Sequence, residues 1–362
     1  MKKTLVALAA FAATAAFADV SIVGTFDPTV IKTTTTYGNG NQAQQMNMTY
    51  NGVSTSQITF KVVEDLGNGL KAIALMENDF QAQNKEDQIG KGADQGAASA
   101  GTNFGSGGGE IYTGLTGSFG TVKLGAPNTA TLYTQGGTPF GTKLASGFGE
   151  GMHGSAQVRQ SQTVQYETPT ISGFSLKVGQ SYGANADAQV TTSAAPAGPG
   201  AGTGISAASS VTDLGVFYAN GPITGALTNF SKQGLAGAPN NTIANYQVAY
   251  TMGDFMIQVG GHNESAAGNT VGKDNSGNFV AGKYTMGASA ILFQVASLTD
   301  KYAADAAAPL NKHLTGLGYD YSLSKNTKVY ARYSSYTVDN ASVSANNVGK
   351  QVKTAAGISV NF

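Results

Sequence analysis

Three histidines and no cysteine stand in 362 residues. His153, His262 and His313 lie far apart, and no two share one element at metal-ligand spacing, so no metal site and no cofactor is expected. A serine activated by one of these histidines would make a hydrolase, but no serine is singled out by its neighbours. Gly149-Glu150-Gly151-Met152-His153-Gly154 has the form G-x-G-x-x-G. A dinucleotide site needs a strand before that motif and a helix after it, and neither is suggested. What remains is charge. Lys61, Lys71, Glu77, Glu110, Lys123, Arg159, Glu167, Lys177 and Arg332 occur in segments where polar and apolar residues alternate. Lys143 and Glu150 stand in a Gly-rich stretch. Charges in such positions share one face of a strand, and their chemistry is electrostatic: they attract, repel and orient ions.

The elements that must position them have a period of two. In Lys350 to Phe362 the even positions Val352, Ile358, Val360 and Phe362 are apolar, while Lys353 and Asn361 are odd. That is a strand with one apolar face. Such an end can pair with the first strand and abolish both edges of a sheet. Asp19 to Thr36 alternates as that first strand through Val20, Ile22 and Phe26, and Gly38 to Gly52 is expected to be a polar loop. Ser56 to Asp65 sets Ile58, Phe60 and Val62 against Gln57, Thr59 and Lys61. Leu66-Gly67-Asn68-Gly69 is a tight turn, with Leu70 to Phe80 returning. Further strands are expected at 110–117, 121–125, 159–168, 174–182, 210–219, 223–231, 242–252, 255–263, 279–288, 290–299, 312–323 and 327–337. Short turns alternate with long polar connections throughout.

The N-terminus is read separately. Lys2 and Lys3 precede a small-apolar run, and Ala16-Phe17-Ala18 has the small-x-small form of a cleavage site. Residues 1–18 are expected to be a signal peptide, cut between Ala18 and Asp19. Without Lys2 and Lys3, 19 basic residues face 21 acidic ones, a net charge of −2. This argues against a nucleic-acid partner. No other stretch is apolar for the ~18 residues that a spanning helix needs. Charged residues make up 12% and Gly numbers 49. A wall with one apolar and one wet face averages to such a composition.

These features together predict an all-β chain over residues 19–362: a sixteen-stranded antiparallel transmembrane β-barrel with short periplasmic turns and long extracellular loops. Apolar positions then face lipid, and their neighbours face the lumen. A Lys or Arg turned to lipid at mid-depth would cost roughly 2–4 kcal/mol. Tyr166, Tyr182, Tyr246, Tyr250, Tyr319, Tyr321, Tyr333 and Phe362 share the outward parity and suit interfacial aromatic girdles.

The chain resembles the Gram-negative general porins of the betaproteobacterial kind. The matching segments are Val20 to Gly24, Phe60 to Ala72, Tyr112 to Gly125, Pro139-Phe140-Gly141, Arg159 with Tyr166 to Pro169, Tyr319 to Thr327 and Phe362. Their order spans the mature chain. The resemblance implies a homotrimer in the outer membrane that contacts outer-membrane lipids and lipopolysaccharide. It implies passive diffusion of small hydrophilic solutes and ions, with no enzyme activity. It also implies an inward-folded third loop, 126–157 here. Val360 and Phe362 would act as the C-terminal assembly signal. The candidate channel-lining residues are then Lys61, Lys71, Glu77, Glu110, Lys123, Lys143, Glu150, Arg159 and Glu167, with Arg159 facing Glu150. The sequence departs from the family at Gln57, at Gly109 or Glu110, and at Ala126, where Arg is common, and at Thr138, where Asp is common. Only Arg159 and Arg332 are arginines. Weak charge selectivity is the expectation. Two alternatives remain: a surface adhesin or receptor working through its long loops, and a barrel enzyme using a histidine.

Overall fold

The computed structural model describes residues 18–80, 108–147, 157–182, 189–190, 205–206, 210–234, 237–267, 270–271, 273–301, 310–339 and 347–362. Strand β1 runs Asp19–Phe26 and, past Asp27 and Pro28, Thr29–Tyr37. Strand β2 returns as Gln42–Thr49 and Gln57–Gly67. Then come β3 (Leu70–Asp79), β4 (Gly108–Gly117), β5 (Gly120–Ala126), β6 (Thr163–Glu167) and β7 (Phe174–Ser181). The next five are β8 (Val211–Asn220), β9 (Ile223–Lys232), β10 (Asn241–Met252), β11 (Phe255–Ser265) and β12 (Asn275–Met286). The last four are β13 (Ser289–Asp300), β14 (Leu310–Ser322), β15 (Thr327–Asp339) and β16 (Val348–Asn361). One short helix, α1 (Ala130–Gln135), follows β5. A separate two-residue ladder joins Gln189–Val190 to Ile205–Ser206.

The wall is one sheet of 18 segments. Because β1 and β2 are each interrupted once, the segments make a closed barrel of 16 antiparallel strands. Closure runs through β1, where Thr25 is opposite Gln57 of β2 on one side and Asn361 of β16 on the other. The Gly24 N–H donates to the Phe362 carbonyl at 3.0 Å, and the Phe362 N–H donates to the Gly24 carbonyl at 3.1 Å. No edge of the wall is left for hydrocarbon to strand.

Register fixes which side chains face out. Val20, Ile22 and Phe26 on β1, Val248 and Tyr250 on β10, and Leu317 and Tyr319 on β14 are all exposed, as are the other outward tyrosines of the expected girdles. An aqueous protein would bury them; here the bilayer covers them. The inward face carries Thr, Gln, Asn and charge, with small apolar clusters such as Val211, Phe230 and Ile243. At the turn Gly67-Asn68-Gly69 all three residues have positive φ, 86°, 53° and 77°. That is why the sequence places two glycines and an asparagine there.

Three details differ from the sequence reading. Residues 42–49, expected within a polar loop, are strand and extend β2 against β1. The strand expected at 159–168 starts at Thr163, and Arg159 makes only an isolated bridge to Asn128. The turn expected near Ser289 lies at Gly287 and Ala288, with Ser289 already in β13.

β2 also contains a wide bulge. Thr25 pairs with Gln57 and Thr29 with Thr49, so residues 50–56 of β2 stand against only 26–28 of β1. Asp27 holds the extra residues. Its carboxylate accepts the Val53 and Ser54 N–H groups, each at 2.7 Å, and its own N–H donates to Ser56 Oγ at 2.9 Å. The Tyr330 hydroxyl donates to the same carboxylate and lies 2.5 Å from Thr29 Oγ1. A bulge bends a strand where extra chain must leave the ladder, and a fully buried carboxylate tolerates this site because each oxygen is occupied.

The seam between the chain ends is tightly packed. A Cβ on Gly24 would lie 2.5 Å from the Phe362 ring and 2.7 Å from the Gln57 carbonyl oxygen. Gly24→Val should therefore lower barrel stability by about 1–3 kcal/mol, read as a lower temperature for the electrophoretic shift from folded to unfolded form. An unchanged shift temperature would mean that the seam is looser than this packing.

Candidate channel lumen

The stretch after β5 turns inward, and its contacts define its path. Asn128 is held by Glu110, whose carboxylate accepts its backbone N–H at 2.9 Å and its side-chain N–H at 3.2 Å. Thr129 caps α1, accepting the Leu132 N–H at 3.0 Å, as an N-cap threonine does. Asp213, on the inward face of β8, completes the helix start. It accepts the Ala130 N–H, the Thr131 N–H at 3.2 Å and the Thr131 hydroxyl at 2.6 Å. Thr134 and Thr228 of β9 share a hydrogen bond of 2.8 Å. Gln258 of β11 donates to the Gly137 carbonyl at 2.8 Å. Phe140, 3% exposed, packs with Ala145, Ala290 and Leu292, and lies over the Arg332 guanidinium at 5.7 Å. The Leu144 N–H reaches the Gly52 carbonyl in the β2 bulge at 3.3 Å. The segment thus follows the inner wall from β8 across β11 to β15 and β2. Its return is tied at Gln157, whose N–H donates to Gln135 Oε1 at 3.1 Å and whose carbonyl accepts the Thr129 hydroxyl at 2.6 Å.

The sequence-predicted charges fall into three ion-paired groups and several single ones. On the β3–β7 wall, Arg159 donates to Glu77 at 3.0 Å and to the Gly108 carbonyl at 2.6 Å. Glu77 also accepts the Gln57 amide at 2.7 Å. Beside this, Glu167 accepts both Lys123 (2.9 Å) and Lys177 (2.8 Å). Lys123 also lies over the Tyr112 ring at 4.8 Å, and Lys177 over the Tyr133 ring at 4.1 Å. Across the barrel, Asp320 holds Arg332 (2.6 Å) and Lys328 (3.2 Å).

The other candidates stand apart. Lys61 is exposed between Ser21 and Leu75 and has no ion-pair partner among the described residues. Lys71 sits opposite Asp65, at the turn end of β3. The Lys143 carbonyl closes the turn to Ser146. Glu150 lies outside the described residues, so the partner that the structure gives Arg159 is Glu77. Asp19 opens β1 with Ala18 exposed before it, and Val360 and Phe362 end the chain at the β1 seam.

Sequence reasoning missed Asp213, Asp27, Tyr330 and Asp320. Asp213 had a signal, since its odd position opposes the apolar even positions of β8. The histidines do not converge. His262 is buried, with Nδ1 at 2.7 Å from Asn245 Oδ1. His313 faces outward and meets Asp339 at 3.2 Å, and His153 lies outside the described residues. No group of three or more His, Asp or Glu that could hold a metal occurs among the described residues.

A family profile described as Gram-negative porin matches residues 4–341. The Delftia acidovorans outer membrane porin protein 32 is 28% identical over 345 residues, covering 91% of this chain and 88% of that protein. The major outer membrane protein P.IB of Neisseria meningitidis serogroup B is 34% identical over 181 residues. That match covers 49% of each protein, so the aligned chain spans about half the neisserial protein's length. Among solved structures, an anion-selective porin from Comamonas acidovorans aligns with a TM-score of 0.67 at 19% identity, covering 96% of this chain and 100% of that one.

The Asp213 contacts yield a prediction. Asp213→Leu removes the acceptor for three donors of the 130–131 segment, at a cost of about 1–3 kcal/mol each if they stay unpaired. Amide exchange over 128–136 should speed by at least tenfold, roughly the effect of 1.4 kcal/mol. Unchanged exchange would show that the segment is held elsewhere.

Proposed function

The chain belongs to the Gram-negative porin family and is an integral outer-membrane protein, and from that premise we propose that it forms a water-filled channel for passive diffusion of small hydrophilic solutes and ions. The supporting observation is the path of residues 128–147, hydrogen-bonded to inward positions of β8, β9 and β11 and packed against β13–β15. A segment so placed occupies part of the cross-section and leaves the rest to water. Loop 126–157 is the constriction in this reading. Lys61, Glu77, Glu110, Lys123, Arg159 and Glu167 line the passage, Lys143 borders it from the loop, and Lys71 stands at its turn-end rim.

Charge selectivity follows from how these groups are paired. A cation beside a carboxylate presents a dipole to a passing ion, not a net charge. Arg159 is paired one to one with Glu77, while Lys123 and Lys177 share Glu167, and Lys328 and Arg332 share Asp320, so each of these two triads keeps a net positive charge. Glu110 and Asp213, inward carboxylates with no cation partner among the described residues, offset those two triads, and we therefore propose weak selectivity, with Lys61 the uncompensated charge on the β2 wall. The mechanism needs no bond making: solutes are sieved by the loop and biased by the field. Three further parts complete the reading, the first resting on the basic start, apolar run and Ala16-Phe17-Ala18 of the sequence and the other two on the family. Residues 1–18 are removed before Asp19, Val360 and Phe362 serve as the assembly signal, and three protomers associate in contact with lipid and lipopolysaccharide.

Bilayer recordings under a salt gradient test this. Wild type should show open steps, grouped in threes for a trimer, and a reversal potential close to zero. Lys61→Glu should move that potential by a few-fold change in permeability ratio toward cations. A folded barrel without conductance would contradict the channel, and a strong anion preference unaffected by Lys61→Glu would contradict the charge assignment.

A further inference from the structure

Beside the charged β3–β7 wall, a cavity of about 400 Å³ lies between α1 and strands β7–β11. Its origin is a size mismatch in register. Phe217 of β8 stands between Ser175 of β7 and Ala226 of β9, so a large ring projects between two small neighbours. Thr224 faces Ala249 on the next pair of strands. The space left by these small residues is closed above by the loop, where the Tyr133 ring meets the Phe217 ring edge-on at 6.1 Å. None of the residues lining the cavity is Asp, Glu, Lys or Arg.

The polar groups there are amides and hydroxyls. Gln258 donates to Gln247 Oε1 at 3.0 Å, and Gln247 donates to the Tyr133 carbonyl at 3.4 Å. Gln258 Oε1 has no hydrogen-bond partner among the described residues. A buried carbonyl oxygen without a donor costs about 1–3 kcal/mol, which a hydroxyl donor beside it would offset. Thr224, Thr251 and Ser175 add hydroxyls that both donate and accept. Lys177 marks the border of the charged wall: it contacts the Tyr133 ring and is ion-paired with Glu167.

Apolar and aromatic walls with a few placed hydrogen-bonding groups are what a small-molecule site of this volume needs. An ionic solute gains nothing from them. We propose that this cavity is a binding subsite, on the solute path, for uncharged ring solutes rich in hydroxyls, of the pyranose class. Phe217 and Tyr133 take the C–H face of the ring, and Gln247 and the threonine hydroxyls take its rim. This rests on the channel reading above.

The test is ion current through the reconstituted, full-length protein with glucose as probe and the acyclic polyol sorbitol as control. Glucose should reduce current saturably, beyond the loss due to viscosity, while sorbitol should follow viscosity alone. Phe217→Ala should raise the half-blocking glucose concentration about tenfold, the size of one aromatic contact, with salt conductance kept near wild type. If Phe217→Ala does not assemble, Phe217→Leu keeps bulk and removes the ring, and the same shift is expected. A glucose effect that tracks viscosity in a normally conducting protein overturns the subsite alone. Absence of conductance in salt overturns the channel reading instead.

Discussion

Hydrocarbon supplies no hydrogen bonds, so every backbone N–H and C=O that crosses a bilayer must find its partner in the protein. In this chain that constraint is met by closing the wall at Gly24 and Phe362, where two backbone hydrogen bonds join the chain's ends. Once the wall is closed, strand parity does the rest. Outward positions meet lipid and are mostly apolar or aromatic, and inward positions are mostly polar, apart from small apolar clusters such as Val211, Phe230 and Ile243. The Phe362 ring then lies over the one residue beside it with no side chain, which ties the last residue to the first strand. The inside-out distribution of Leu, Val, Ile and Tyr is a consequence of closure.

Closure also creates an interior that must be filled or left wet. The loop after β5 fills part of it, and polar inward residues hold it there. Asp213 is the clearest case: a buried carboxylate is costly unless it is hydrogen-bonded, and α1 delivers its free N-terminal donors to it. The β2 bulge repeats this arrangement, with Asp27 collecting the Val53 and Ser54 amides. The bulge in turn presents the Gly52 carbonyl to Leu144, so a distortion of the wall becomes a support for the loop. Most of the inward cations not used as anchors are ion-paired along the wall, with Lys61 the exception on β2. Beside them lies a cavity with no charged lining residue, and one lumen thereby offers two environments.

Much of this was legible in the sequence because a period of two is a local signal. The turns at Gly67-Asn68-Gly69 and the alternation in Val352 to Phe362 declare both strand and face. Residues 42–49 did not, because both of their faces carry polar residues (Gln42, Gln44, Gln45 and Asn47), so alternation vanishes although the ladder persists. Parity gives the side on which a charge lies but not its height or its neighbour. Arg159 and Glu77 are 82 residues apart and meet only through the folded wall. Asp27 was hidden for the same reason, since its partners come from residues 53, 54 and 330.

The loop's attachment to the wall is the claim on which the sieving mechanism stands, and the absence of native cysteine makes it directly testable. Thr134 Oγ1 and Thr228 Oγ1 lie 2.8 Å apart, one on the loop and one on β9. The double variant Thr134→Cys with Thr228→Cys should form a disulfide in the folded protein, and its single-channel conductance should be the same oxidised and reduced, because the bond fixes a position the loop already holds. Failure of the two cysteines to cross-link without denaturation, or a conductance that rises several-fold on reduction, would show that the loop does not rest against the wall.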